Sequence, residues 1–399
     1  MIINTSALPD NDFLNTSYKN HTTTYVETKD IKETVVLSII RDLTRLNWSV
    51  KHQDKKIIIE PPDVYDKDVI RHSMSIKRDE IIEKNRIWID NHIEMARNNL
   101  SDGSDVLKSE IAPVIEICST QKQHDLFRLF RYYWSSPYSE YVGRRIKIII
   151  RDYALPARPA IGIAALGSPI IHIPERDNYI GWNKSERTKR INYMMDAYVI
   201  GALPPYNYLL GGKLVSYLLT SKEIRKIYKK KYQDSNYSEI AGIFTTSLYG
   251  KSSQYNRLKM NGREIYIPIG ETKGYGTLHL TNKTIELMIK FLKENNIIVS
   301  NVFGDGPSWT MRVIRTAGEL LGFDTDQLLM HSFKRNIYFV PFAKNTKEFL
   351  IGKNKTLKFY SHNVEFLTNY WKQRWYNQRK EDHKIIVNVS QFKKDDFIL

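Results

Sequence analysis

The densest candidate for chemistry in this chain is the run Gly270-Glu271-Thr272-Lys273-Gly274-Tyr275-Gly276. Three glycines within seven residues permit tight turns and close backbone approach to a ligand. Glu271 offers an acid or base there, and Lys273 a contact to phosphate. A glycine-rich hairpin between strands accounts for the same run. A second carboxylate, Asp152, closes the strand-like run RRIKIIIRD. It is either a general base or one half of an ion pair with Arg151.

Cations and aromatics form the other constellations. Lys222, Arg225, Lys226, Lys229, Lys230 and Lys231 make a basic run, which suits a phosphate-contacting surface or a solvated helix face. Lys372, Arg374, Arg379 and Lys380 lie among Tyr370, Trp371, Trp375 and Tyr376, the mixture that single-strand nucleic-acid binders use. Trp371 and Trp375 are four apart, so one buried stripe is the competing reading. Trp182, close to Arg176 and Asp177, either stacks on a base or plugs the edge of a sheet. Asp305, between Gly304 and Gly306, reads as a turn into a helix capped by Ser308, with Arg312 and Arg315 beyond it.

Several chemistries lack their signatures. The ten histidines fall in no HExxH arrangement, the single Cys118 excludes a CxxC zinc site and a disulfide framework, and no P-loop run is present. No metal is expected. No stretch approaches 18 uninterrupted apolar residues, so a soluble cytoplasmic chain without membrane contact is expected. With 42% hydrophobic and 12% aromatic residues, a largely disordered chain is excluded. Charge is unevenly placed: residues 1–140 carry 19 Lys+Arg against 22 Asp+Glu, and residues 141–399 carry 41 against 22. The excess points to an anionic partner for the later part, nucleic acid being the first choice.

These residues need elements to position them. Apolar spacing predicts a helix over 30–46, a short strand at 55–60, a long charged helix over 67–99 and another over 123–134. From Arg144 the texture changes to strands at 144–153, 160–173 and 191–203. One long helix then runs from Pro205 to Tyr232. A strand at 239–247, a short helix around 252–259 and a strand pair over 263–276 follow. Helices near 284–295 and 307–322, a strand near 331–342 and an aromatic-basic helix at 364–380 complete the chain. The expected division is a mostly helical module at 1–140, an α/β core at 141–280 and an α/β extension at 281–399. The fold class is α/β (α+β): a mixed, mostly antiparallel sheet with flanking helices behind a helical N-terminal region.

The order strand, strand, helix, strand, helix resembles the Gcn5-related acetyltransferase core. That likeness implies a pyrophosphate at the N-terminus of the helix after Pro205 and a general-acid tyrosine near Tyr255. Tyr255 follows Ser252 and Ser253 and precedes Arg257. The alternative is that Tyr255 packs on the sheet while the serines cap a helix. The coenzyme A pattern Q/R-x-x-G-x-G/A is met only in part by Tyr208-Leu-Leu-Gly211-Gly212-Lys213: its first position lacks Gln or Arg, and Lys213 replaces the last small residue. No cofactor is therefore assigned.

The runs RDNYIGW at 176–182, RDY at 151–153 and GRRIK at 143–147, the G-x-T-x-G-x-G run at 270–276, the pair Gly304 and Gly306, and the trio Arg335, Tyr338 and Pro341 occur in order. In these the chain resembles the DruA family of the Druantia anti-phage defence systems, over roughly residues 110–352. The resemblance implies a defence component that works with other proteins of the same system. Combined with the charge, it leads to the expectation of nucleic-acid binding through Trp182, Lys226, Lys230, Lys273, Trp371, Lys372, Arg374 and Trp375. A homo-oligomer is compatible with this. The alternative is an acyltransferase-like enzyme acting on a nucleobase or protein, with Asp152, Tyr255 and Glu271 as its catalytic candidates.

Overall fold

A computed structural model describes residues 30–53, 56–63, 65–138, 143–248, 250–300 and 307–399. The polar stretch 1–25 and the glycine turn at 304–306 lie outside the described residues. Eleven strands are present among these: β1 Ser49–Gln53, β2 Lys56–Glu60, β3 Pro113–Ile117, β4 Arg145–Asp152, β5 Ala160–Gly167, β6 Met194–Ala202, β7 Gly242–Thr246, β8 Lys259–Met260, β9 Arg263–Glu264, β10 Ile267–Glu271 and β11 Asn336–Pro341. Seven of them form one sheet in the order β10-β11-β7-β6-β5-β4-β3. Every neighbouring pair is antiparallel except β6 and β7, which run parallel. The α/β class with a mostly antiparallel sheet is as the sequence led us to expect.

Alternation along the central strands makes the sheet bury both faces. Ile146, Ile148 and Ile150 of β4 point into one core with Leu214, Leu218 and Trp371. Ile149 of β4 and Ile163 of β5 point into another with Phe127 and Phe130 of the helix Gln121–Tyr132. β3 and this helix thus belong to the sheet layers, although both precede residue 140. The third core joins distant parts of the chain: Val35, Ile39 and Leu43 of the helix Ile31–Thr44 pack with Met288, Ile314 and Leu328. Packing therefore groups 31–74 with 280–333, across the boundaries expected at 140 and 280.

Three expected helices are divided, each for a local reason. The charged helix splits into Lys67–Lys84 and Arg86–Arg97 at Asn85, whose side chain donates to Ile81 O (2.7 Å) and accepts from Arg128 (2.7 Å). The helix after Pro205 becomes a 3₁₀ turn, Tyr206–Leu209, then Gly211–Leu218 and Lys222–Lys231. Ser221 is fully buried and caps the last of these by accepting from Ile224 N. The aromatic-basic helix runs as Val364–Trp371 and then a π-helical turn, Lys372–Tyr376. The residues at 252–258 form turns in place of a short helix.

Asp42 ties the first helix to the far end of the chain. Its carboxylate accepts from Thr281 N (2.8 Å), Thr281 Oγ1 (2.8 Å) and Thr284 Oγ1 (2.6 Å), and all of these groups are buried. Replacing it leaves three buried donors without their acceptor. We expect Asp42→Ala to cost about 2–4 kcal/mol, read as a lower urea midpoint. An unchanged midpoint would show that this joint contributes nothing to stability.

Candidate functional site

The parallel junction of the sheet is short. β6 and β7 pair only through Met194↔Gly242, Met195↔Ile243 and Asp196↔Phe244. Beyond Asp196 the strands part. β6 carries a bulge there, because Ala165 faces Val199 while Leu166 faces Ala197, leaving Tyr198 as the extra residue. Thr245 Oγ1 of β7 spans the start of the gap, donating to Ala197 O at 2.8 Å. The chain itself occupies the rest. Gln254 Nε2 donates to Ile200 O on β6 (3.1 Å) and to Ser216 Oγ on the helix Gly211–Leu218 (3.1 Å).

The amino end of that helix also holds a charge of its own. Lys213 Nζ donates to the carbonyl oxygens of Ser253 (2.5 Å) and Asn256 (3.1 Å) and lies 3.5 Å from that of Gln254. Its ammonium lies 4.6 Å from the centre of the Trp375 ring. A cation at a helix N-terminus opposes the dipole, and the three carbonyls and the indole compensate for it. Gly211 can carry no side chain here, since a Cβ would stand 2.6 Å from Tyr206 O.

Tyr255 lies beside this gap and is buried. Its ring stacks on Tyr266 (5.0 Å, 3°) and meets the edge of Tyr338 (5.1 Å). Burial pushes its phenol up to about 12. Tyr338 donates to Asn256 Oδ1 (3.1 Å) and accepts from Ser252 N (3.2 Å). Burial raises the Tyr338 phenol, and the Glu271 carboxylate adds to this. Glu271 lies on β10, opposite Asn336 of the strand β11 that carries Tyr338. Asp152 is elsewhere. β4 and β10 are five strand spacings apart, roughly 24 Å.

Asp152 is fully buried and holds four donors: Ala112 N (2.8 Å), Ala154 N (3.0 Å), Tyr206 Oη (2.9 Å) and Ser109 Oγ (3.2 Å). Burial, and then Asp152 itself, hold the Tyr206 phenol well above its ordinary range. Arg151 turns to Glu116 instead (2.8 Å). The geometry assigns Asp152 to fixing the end of β4.

The glycine run is a strap along the segment 329–335. Thr272 N donates to Arg335 O, Ser332 N to Gly274 O and Gly276 N to Leu329 O. Gly274 has φ +77°, and a Cβ on it would stand 2.5 Å from Phe333 N. These glycines admit close approach of the chain to itself. Glu271 and Lys273 remain exposed on the outer side.

The expected nucleic-acid contacts divide sharply. Lys226 and Lys230 are exposed on the helix Lys222–Lys231 and carry no ion pair among the described residues. Arg374 is exposed, its guanidinium 5.2 Å from the Trp375 ring. Lys372 binds the carbonyl of Glu110 and lies 4.0 Å from its carboxylate. Trp182 is buried beside the helix Pro174–Ile180, its indole donating to Leu350 O at 2.7 Å. The Arg176 guanidinium, 5.7 Å from that ring, is itself fully buried on Asp177. Trp371 is 1% exposed and donates to Leu210 O. The π turn makes residues five apart share a face, so Trp371 stacks on Tyr376 (5.0 Å) while Trp375 is only half-buried. Trp182 and Trp371 thus offer no free ring face to a base.

A further polar cluster escaped the sequence reading. His279 stacks under Trp48 and contacts His331, and Lys77 Nζ donates to Thr277 O nearby. Burial pushes His279 down to about 3 and His331 to about 2, so both rings are neutral at ordinary pH. Among the described residues no three His, Cys, Asp or Glu side chains form a metal-binding group. One signal was available: Thr34, Ser38 and Asp42 recur every fourth residue on the buried face of the first helix.

Burial, with repulsion from Arg257 and Arg374, pushes Lys213 down to about 8 from 10.5. Between those values the unfolded chain binds a proton that the folded chain has released. The contribution of this group to stability therefore rises with pH across that window. We expect the stability difference between wild type and Lys213→Met to shift in favour of wild type from pH 8 to pH 10, measured by urea unfolding. Lys77, pushed down to about 8 by burial, is common to both proteins and cancels. A pH-independent difference would refute the assignment.

Among the described residues no helix is long and apolar enough to cross a membrane. No solved structure matches this chain. Residues 63–352 match the family model described as Druantia protein DruA. A curated relative, Druantia protein DruA of Escherichia coli (strain UMEA 4076-1), is 36% identical over 295 residues, covering 71% of this chain and 72% of the relative. The motif order agrees with both comparisons: the chain belongs to the DruA family of the Druantia anti-phage defence systems.

Proposed function

We propose that this component of a Druantia anti-phage defence system binds nucleic acid through its basic C-terminal two thirds. The observation that carries the reading is the outer face of the helix Lys222–Lys231. Lys226, Lys229 and Lys230 are exposed there without an ion pair among the described residues. An uncompensated cationic face draws phosphate by releasing condensed counterions. Exposed Lys273 and Arg374 add to the same charge. Trp375, half-buried and covered by Lys213, contributes charge placement more than stacking. The acidic-to-neutral N-terminal residues are the natural contact for other proteins of the system, and a homo-oligomer is compatible with either role.

The acyltransferase reading rests on a specific observation. In chain order the sheet reads first to fifth strand, then seventh, then sixth, with one parallel pair that splays beside a bulge. This order supports a Gcn5-related core. The contents of the gap speak against coenzyme A there: Gln254 fills it, and Lys213 with its three carbonyls stands at the helix terminus where a pyrophosphate would lie. Tyr255 is enclosed by two other tyrosines. The binding role is therefore the stronger reading.

Fluorescence anisotropy with labelled single-stranded DNA, duplex DNA and single-stranded RNA over a salt series tests it. We expect affinity to fall steeply with salt, and Lys226→Glu with Lys230→Glu to weaken binding about tenfold or more at low salt. Absence of binding to all three at every salt concentration would overturn the reading. Millimolar coenzyme A should leave the melting temperature unchanged. A concentration-dependent rise would restore the acyltransferase alternative.

A further inference from the structure

Three rings stack where the chain enters the helix Val364–Trp371, two from the segment before it and Phe366 from its first turn. Tyr360 and His362 lie 5.9 Å apart at 9°, and His362 and Phe366 lie 5.1 Å apart at 15°. The Arg263 guanidinium lies 3.7 Å from the centre of the Tyr360 ring. Phe366 is 44% exposed and has no further ring partner among the described residues. The stack therefore ends in an exposed phenyl ring.

The surroundings are cationic. The Arg225 guanidinium lies 4.4 Å from the Phe359 ring. Lys222 N donates to His362 O at 2.8 Å, which places the start of the basic helix directly against the stack. Lys222 and Lys226, one turn apart, share a face of that helix. Of the local carboxylates, Glu223 is occupied by Val364 N (3.2 Å) and Glu264 lies 3.7 Å from Lys259, leaving Glu365 exposed. Burial, then Arg263 and Arg225, push the His362 imidazole down, so it stacks as a neutral ring.

We propose that this stack is the platform for one unpaired base of a single-stranded nucleic acid, the base lying against exposed Phe366 and the flanking phosphates near the start of the basic helix, at Lys222 and Lys226. The assignment rests on the nucleic-acid reading above and adds to it a preference for single strands. Stacked rings within a positive groove are how single strands are held without sequence readout, because every base has a π face. A duplex keeps its bases inside and meets only the cations.

The test uses the full chain with a 20-nucleotide DNA carrying one central 2-aminopurine, compared with its 20-base-pair duplex. Wild type should quench the 2-aminopurine and bind the single strand more tightly than the duplex. Phe366→Ala should weaken single-strand binding at least about fivefold, the loss of one base–ring contact. It should also abolish the quench, leave duplex binding within twofold, and leave the salt slope unchanged because no charge is lost. Phe366→Trp should restore both affinity and quench. Wild-type affinity in Phe366→Ala, or equal losses on single strand and duplex, would overturn the platform while leaving nucleic-acid binding intact. No binding of either probe by wild type would overturn both. Phe366 is exposed, so an unchanged melting temperature confirms that the alanine variant is folded.

Discussion

The single parallel contact in the sheet governs much of this molecule. Parallel neighbours cannot be joined by a tight turn, so the chain must leave β6 and return to β7 through nearly forty residues, 203–241. Those residues build the helices Gly211–Leu218 and Lys222–Lys231. The first covers one face of the sheet, and the second puts the largest run of lysines on the surface. The same junction pairs over only three residues, so the strands part and leave polar backbone that needs partners. Gln254 and Thr245 supply them to β6, at Ile200 O and Ala197 O.

Filling that gap fixes the character of the site. A buried ammonium at a helix N-terminus is tolerated only where acceptors surround it, and Lys213 obtains three carbonyls from the turn 253–256. The turn in turn presents Tyr255 to Tyr266 and Tyr338, so the phenol that could have acted as a proton donor is a packing element. Charge is thereby moved outward, to the exposed lysines of the next helix and the cations around Tyr360, His362 and Phe366. This placement of charge is what the proposed nucleic-acid role rests on, and DruA membership makes the chain a component of a phage-defence system.

Much of the secondary structure and the family were legible because their signals are local or ordered along the chain. Apolar periodicity located the helix at Ile31–Thr44 and the strands β4, β5 and β6. The family motifs in sequence order located the match. Less legible was the grouping into domains. β3, which apolar spacing did not assign, becomes part of the sheet by pairing with β4, and the helix Ile31–Thr44 shares its core with residues of 280–333, far along the chain. The two candidate tryptophans illustrate the limit for sites: spacing of four predicts one face for Trp371 and Trp375, but the π turn rotates Tyr376 into that face and Trp375 partly out.

The sequence by itself determined the strand and helix types, the polarity of charge between the first 140 residues and the rest, and membership of the DruA family, because periodicity, composition and ordered motifs are properties of a chain before it folds. Tertiary structure decided which of the chemically capable residues are free. Asp152, Trp182 and Trp371 have the right chemistry, yet their donors and acceptors are consumed by Tyr206, Leu350 and Leu210, more than twenty residues away in every case. A side chain's availability is set by what packs against it in space, and one-dimensional spacing carries no record of that.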